Sequence, residues 1–241
     1  MENIQKTDLL YTGKAKMVFN TSDPTLCIFE YKDDATAFNG VKKGSFDGKG
    51  IINNQIANII FCILQKKGIN THLVEELSKR ETLVKKVDII PLEVIVRNIT
   101  AGSFCRNYGV DEGIVFEEPT LEFSYKNDNL GDPLINSSHA LALKLVTKEQ
   151  LKEISSLAFK VNSELIDIFE QIGIKLVDFK IELGLDSENN ILLSDEISPD
   201  TCRLWDINTN KKLDKDQFRL DLGEFADVYN EVYARLTEKF L

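Results

Sequence analysis

The sequence predicts an α+β protein, and three observations carry that expectation. Short extended runs gather near the start and again around residues 71 to 98, helical periodicity is confined to separate stretches, and nowhere do strands and helices alternate as a doubly wound sheet requires. There are no internal repeats. A chain of 241 residues can bury a substantial core, either as one large domain or as two modest lobes sharing a cleft. A hydrophobic fraction of 43% beside a charged fraction of 28% excludes a disordered chain and fits a soluble enzyme or binding module.

Each element follows from local pattern. LLYTGKAKMVF and TLCIFEYK read as short strands around turns. GKGIINNQIANIIFCILQKKG places apolar residues at 52, 56, 59, 60 and 63, the spacing of one helical face. THLVEEL, ETLVKKVD and PLEVIVRN are three further extended runs, and residues 110 to 146 read as irregular, with KNDNLGDP a loop. From 147 to 172 a long amphipathic helix is predicted, with Leu151, Ile154, Leu157, Ala158, Val161, Leu165 and Ile168 on its apolar side and Thr147 as its N-cap. KLVDFKIELGL and ILLSDEI form a strand pair joined by DSENN, SPDTCRLWD leaves it as a loop, and a final helix starts near Lys215 and carries Phe218, Phe225, Val228, Val232 and Leu236.

The formal net charge is −10 and no basic run forms a footprint for nucleic acid or an anionic membrane, so an anionic ligand must be met by a few local cations. The start of the chain has no apolar signal core, and no apolar run approaches the ~18 residues of a membrane span, which predicts a cytoplasmic protein. Cys27, Cys62, Cys105 and Cys202 are scattered without a C-x-x-C pair, and His72 and His139 are the only histidines. That pattern argues against a zinc site or a disulfide framework.

Chemistry concentrates in three places. In PLEVIVRNITAGS an apparent strand ends at Arg97 and is followed by Gly102 and Ser103, a guanidinium fork beside a hydroxyl and a small-residue turn, the materials of an anion site. In LVDFKIELG, Val177, Phe179, Ile181 and Leu183 face a core while Asp178, Lys180 and Glu182 share the other face, roughly 7 Å apart. A solvated face with alternated charges is the simpler reading of such a strand. Against it, the tight hairpin returns Asp195 and Glu196 alongside, and hard carboxylates around a lysine suit a Mg²⁺ ion holding a polyphosphate. SPDTCRLWD then delivers Asp200 and Arg203 at the same edge. In YTGKAK, Gly13 permits a tight hairpin close to a ligand, with Lys14 and Lys16 able to point at phosphates, and LVKK adds Lys85 or Lys86. Neither a Walker motif nor G-x-G-x-x-G is present.

Taken together, PLEVIVRNITAGS, LVDFKIELG and DEISPDTCRLWD, with GKAK near the start and KNDNLGDP in the middle, closely resemble the SAICAR synthetase family in the right order over nearly the whole chain. The resemblance implies a SAICAR synthase-like α+β fold. A small antiparallel-sheet N-terminal lobe, residues 1–88, would cover a nucleotide in the cleft above a larger α+β lobe, residues 89–241, that holds substrates and metal and ends in a helix. It also implies an ATP-dependent ligase of purine biosynthesis that joins the carboxylate of carboxyaminoimidazole ribotide to the amino group of L-aspartate, with Mg²⁺ as cofactor and a homodimer as the assembly. Cys202, Leu183 and Asn39 depart from the family pattern, where a small residue, a phenylalanine and an aspartate are common.

By the same resemblance, Gly13, Lys14, Ala15, Lys16 and Lys85 would hold ATP, with Glu182 and Asp195 binding Mg²⁺ on its phosphates. Arg97, Ser103, Arg203 and Asp200 would grip the ribotide, Asp178 and Lys180 would sit beside its reacting carboxylate, and Asp132 would orient substrate. A carboxylate is a poor electrophile until one oxygen becomes a leaving group, so an acyl phosphate is the expected intermediate. Two other classes compete. A protein-kinase-like phosphotransferase fails on DFK in place of DFG and on the missing H-R-D loop, and a nucleotide sensor has no use for Arg97 and Arg203.

Overall fold

The computed structural model describes residues 4–37, 41–223 and 225–241. The chain opens with strands β1 (Lys6–Thr12), β2 (Lys16–Thr21) and β3 (Leu26–Tyr31), then a small hairpin of β4 (Asp34–Ala37) and β5 (Lys42–Ser45). Helix α1 (Lys49–Lys66) follows, then β6 (Leu73–Glu76) and β7 (Glu81–Lys85). These strands, apart from the β4–β5 hairpin, form one five-stranded antiparallel sheet in the order β1-β2-β3-β7-β6.

The second half begins with β8 (Asp88–Ile99), α2 (Gly102–Tyr108), β9 (Val115–Tyr125), a 3₁₀ turn (Asp128–Leu130), β10 (Leu134–Ile135) and α3 (Ser137–Ala142). It continues through α4 (Lys148–Glu170), β11 (Ile174–Leu185), β12 (Ile191–Ser194), β13 (Cys202–Asp206), α5 (Asp216–Arg219) and α6 (Phe225–Phe240). Its six strands form a sheet ordered β10-β9-β8-β11-β12, with β13 also on β11. The long central strand β11 pairs with β8 along one edge and with β13 and then β12 along the other, all antiparallel.

Apolar periodicity places the layers. Helix α4, closed at its start by a reciprocal cap between Thr147 and Gln150, lays Leu151, Ile154, Ala158, Val161, Leu165 and Ile168 on the apolar face of β11 and β8. Helix α1 packs on α6 and on the five-stranded sheet, and one continuous apolar cluster runs from Ile56 and Ile60 through Leu92 and Val94 to Val161, Phe179 and Val232. Among the described residues no helix is long and apolar enough to cross a membrane.

Three expectations about the elements need correction. Residues 110 to 146 are not irregular: they hold the eleven-residue strand β9, the short β10 and α3. VFEEPTLEFSY carries Pro119 and three glutamates, which hide the strand until β8 lies beside it to supply partners. CRLWD is a strand, β13, stabilised by its ladder to β11 rather than by its own composition. The final helix is two, because the chain leaves helical geometry between α5 and α6 with Gly223 at φ 96°. Asn39 lies outside the described residues.

Candidate active site

Between the two sheets lies a cleft of about 840 Å³. Its upper wall is the β1–β2 turn, closed by the Gly13 amide donating to the Lys16 carbonyl at 2.8 Å. Lys14 reaches across to Asp128 at 2.8 Å, both side chains exposed. Lys16 points downward, buried, with its Nζ 2.7 Å from Asp195 Oδ1, 3.7 Å from Glu196 Oε1 and close to the rings of Phe29 and Tyr31. Burial alone would discharge it, but Asp195 and Glu196 outweigh burial and hold the ammonium well above the usual lysine range.

The floor is the part of the polar face of β11 that carries Lys180 and Glu182. That face is no solvated surface, since Asp178 and Glu182 are 4% and 6% exposed. Buried charges of this kind persist only when paired. Glu182 stands directly opposite Glu93 on β8, and Lys180 resolves the like-charge contact by donating to Glu93 Oε1 at 2.7 Å and Glu182 Oε1 at 3.0 Å. Lys126 adds a second contact to Glu182 Oε1 at 2.9 Å. Lys180 is raised above the ordinary lysine value because Glu182, Glu93 and Asp195 outweigh its burial. Asp195, just past the end of β12 in the left-handed region at φ 63°, is lowered because Lys16 and Lys180 outweigh burial. Burial wins at neighbouring Glu196, whose carboxyl is raised.

At the far end, register does the assembling. Asp178 is the cross-strand partner of Arg97 on β8 and of Arg203 on β13, and both guanidinium groups donate through NH1 to Asp178 Oδ2 at 2.8 Å. Arg97 also forks onto Glu122 at 3.0 and 2.9 Å and reaches Ser103 Oγ at 3.1 Å. Arg203 Nε donates to Asp216 at 2.9 Å. Gly102 is required here: its φ is +56°, and a Cβ would lie 2.2 Å from Arg203 NH2.

The cleft thus gathers Gly13, Lys14, Ala15, Lys16, Ser103, Asp132, Lys180, Glu182, Asp195 and Asp200. Asp132 there accepts the Asn127 amide at 2.8 Å, and Asp200 accepts from Lys49 and, at 2.6 Å, from Tyr229. Arg97, Asp178 and Arg203 do not line the cleft; they are packed against one another beside Ser103. Lys85 is not brought in. It is exposed and borders a separate groove with Lys86, Asp186 and Glu188.

A comparison with known proteins decides the family, because the SAICAR synthetase family model matches residues 9–236. The chain belongs to the SAICAR synthetase family. It is 58% identical over 233 residues to the phosphoribosylaminoimidazole-succinocarboxamide synthase of Lachnoclostridium phytofermentans, covering 97% of this chain and 99% of that protein. The crystal structure of the phosphoribosylaminoimidazole-succinocarboxamide synthase of Ehrlichia chaffeensis superposes with a TM-score of 0.94 at 46% identity, covering 95% of this chain and 98% of that one. A SAICAR synthetase solved in complex with ADP superposes with a TM-score of 0.92, also at 46% identity, over 96% of this chain and 98% of that one.

Within this family member, sequence reading missed several residues that shape the cleft. Lys126 heads KNDNLGDP, and only its contact with Glu182 reveals it. Glu93 alternates with the apolar residues of β8 and could have been found by the period of two that exposed Glu182. Glu122, Lys49, Lys215 and Arg219 carry no local signal, because their partners are 25 or more residues away or their segment read as plain helix. Cys202 is buried, and burial raises its thiol, so the departure from the family pattern leaves an inert packing residue.

Proposed function

We propose that the cleft joins the carboxylate of carboxyaminoimidazole ribotide to the amine of L-aspartate at the expense of ATP, by way of an acyl phosphate. The observation that supports this reading is a single cleft with two ends that suit anions. One end holds Lys14, Lys16, Lys126 and Lys180 around Glu182 and Asp195, and the other sets Ser103 against the Arg97–Asp178–Arg203 cluster. The family member solved with ADP supports nucleotide use by this fold.

In this reading Gly13, Lys14, Ala15 and Lys16 close over the ATP phosphates, and Ser103, backed by Arg97 and Arg203, takes the ribotide phosphate. Asp178 holds the two guanidinium groups in place, Asp132 and Asp200 shape the substrate walls, and Lys180 lies beside the reacting carboxylate. A carboxylate oxygen of the ribotide attacks the γ-phosphorus and ADP leaves. The aspartate nitrogen then attacks the activated carbon, the C–O bond to phosphate breaks, and the amide forms. Positioning and charge neutralisation carry such a reaction, since the protein supplies no covalent chemistry.

Glu182 and Asp195 fit a Mg²⁺ ion. The lysines engage Oε1 of Glu182 and Oδ1 of Asp195, and both residues line the cleft, so their second carboxylate oxygens are the candidates for a hard cation. No group of three His, Cys, Asp or Glu side chains converges among the described residues, so substrate phosphates would complete the ligand set. When bound, the ion would offset phosphoryl charge. Residues 1–88 and 89–241 act as nucleotide and substrate lobes, in keeping with one sheet drawn from residues 6–85 and the other from 88–206. A homodimer and a cytoplasmic location rest on the family likeness.

The test is ADP release with each substrate withheld in turn. Release that requires both ribotide and aspartate supports the ligase, whereas release without either substrate, or phosphoryl transfer to a protein hydroxyl, refutes it.

A further inference from the structure

We propose that the recess walled by the end of β13 and the start of β11 is a binding site for a small aromatic carboxylate, separate from the cleft. The proposal does not depend on the ligase reading.

The recess holds about 290 Å³, and none of its lining residues lines the cleft. Register builds it. Trp205 on β13 is the cross-strand partner of Lys175 on β11, and an isolated antiparallel bridge pairs it with Lys212 on the returning chain. Residues directly opposite one another share a sheet face, so a lysine stands on each side of one indole. Lys212 Nζ lies 5.8 Å from the centroid of that ring. Ile99, buried, and Val115, exposed, supply apolar wall, and the indole packs with Ile99 in a small apolar cluster of its own.

Donors here outnumber acceptors. Glu112 takes Lys212 at 3.0 and 3.1 Å. Lys175 donates to the neutral side-chain carbonyl of Asn210 at 2.8 Å, and no ion pair compensates it among the described residues. Trp205 is 7% exposed, and its Nε1–H has no acceptor. A buried donor without an acceptor is costly, so a ligand that brings oxygens to this wall is favoured. One cation in excess of the local carboxylate, in a chain of net charge −10, selects an anion with a single charge. The indole and the apolar wall select a flat hydrocarbon body, and the volume limits it to about one ring. An aromatic monocarboxylate meets these demands together. Its ring covers Ile99 and Val115 beside the indole, and its carboxylate bridges Lys175 and Lys212.

Trp205 is the only tryptophan of the chain, so its fluorescence reports on the recess directly. The experiment is a fluorescence titration of the full chain with benzoate, benzyl alcohol and acetate, repeated with benzoate on Lys175→Met and Lys212→Met. Benzoate should give a saturable change with a Kd on the order of 0.1 to 1 mM, the range open to a ligand of about nine heavy atoms. Benzyl alcohol keeps the ring without the charge, and acetate keeps the charge without the ring. Each should bind at least about tenfold more weakly than benzoate. Both variants should also weaken benzoate by about tenfold or more while thermal unfolding stays unchanged, since neither lysine is buried. Saturating ADP should leave the benzoate titration as it was. The comparison of the three ligands needs wild type alone, so it decides the matter even where a variant fails to fold. No saturable response, a response to either control equal to that of benzoate, unaltered benzoate binding in folded variants, or displacement of benzoate by ADP overturns the site.

Discussion

Gly102→Ala separates backbone strain from the integrity of the arginine cluster. The added methyl carries two costs. At φ +56° a side chain is disfavoured by about 1 to 2 kcal/mol. The Cβ would also stand 2.2 Å from Arg203 NH2, 2.5 Å from Cζ and 2.9 Å from NH1, so the guanidinium must move. It is not a free side-chain end, since NH1 is held by Asp178 and Nε by Asp216, at 2.8 and 2.9 Å. Giving up one of these charge-assisted bonds costs about 1.5 to 3 kcal/mol, so the variant is expected to lose about 2.5 to 5 kcal/mol in urea unfolding. Gly109 is the control: it sits at φ +66° at the other end of α2, with nothing within 4 Å of an added Cβ, so Gly109→Ala should lose only about 1 to 2 kcal/mol. The ribotide KM should rise in Gly102→Ala and stay unchanged in Gly109→Ala. Equal stability losses and equal ribotide KM values in the two variants would refute the placement of Arg203 against Gly102.

Other perturbations read the rest of the cleft. Arg97→Lys keeps the charge but loses the fork onto Glu122, so the ribotide KM should rise by about 2 kcal/mol of binding with the ATP KM unchanged; an unaltered ribotide KM would remove Arg97 from that subsite. Glu182→Gln and Asp195→Asn should each collapse Mg²⁺-dependent ADP formation, and the double variant should lose far less than the sum because both act through one ion; strictly additive losses contradict a shared cation. Asp214 is wholly buried and is raised from 3.8 to about 7 by burial and by Asp216. The native state therefore keeps a proton that the unfolded chain has released. Its stabilising share is full below about pH 4 and is lost as pH rises toward about 7. Asp214→Asn should flatten the stability profile over that window, and a profile parallel to wild type in urea unfolding would show that Asp214 does not titrate there.

Much of the cleft was legible because a strand writes its two faces into alternate residues. That period of two separated Asp178, Lys180 and Glu182 from Val177, Phe179, Ile181 and Leu183 without any knowledge of neighbours. The Thr147 cap and the α4 stripe were equally local, as was the Gly13 turn. Strands β9 and β13 were not legible, since their stability comes from ladders to β8 and β11 rather than from their own composition.

The sequence by itself determined which residue types carry charge, which face of each long element is apolar, and the family to which the chain belongs. Only the tertiary structure decided what those charges do. Arg97, expected as a free fork for an anion, spends its donors on Glu122, Asp178 and Ser103. Lys85 and Lys16, both expected at ATP, end in an exposed groove and a buried ion-pair network. The physical reason is range. Side-chain periodicity is fixed over a few residues, whereas an ion pair joins groups that the sequence places as far apart as Lys16 and Asp195, and its value depends on the burial that only packing supplies.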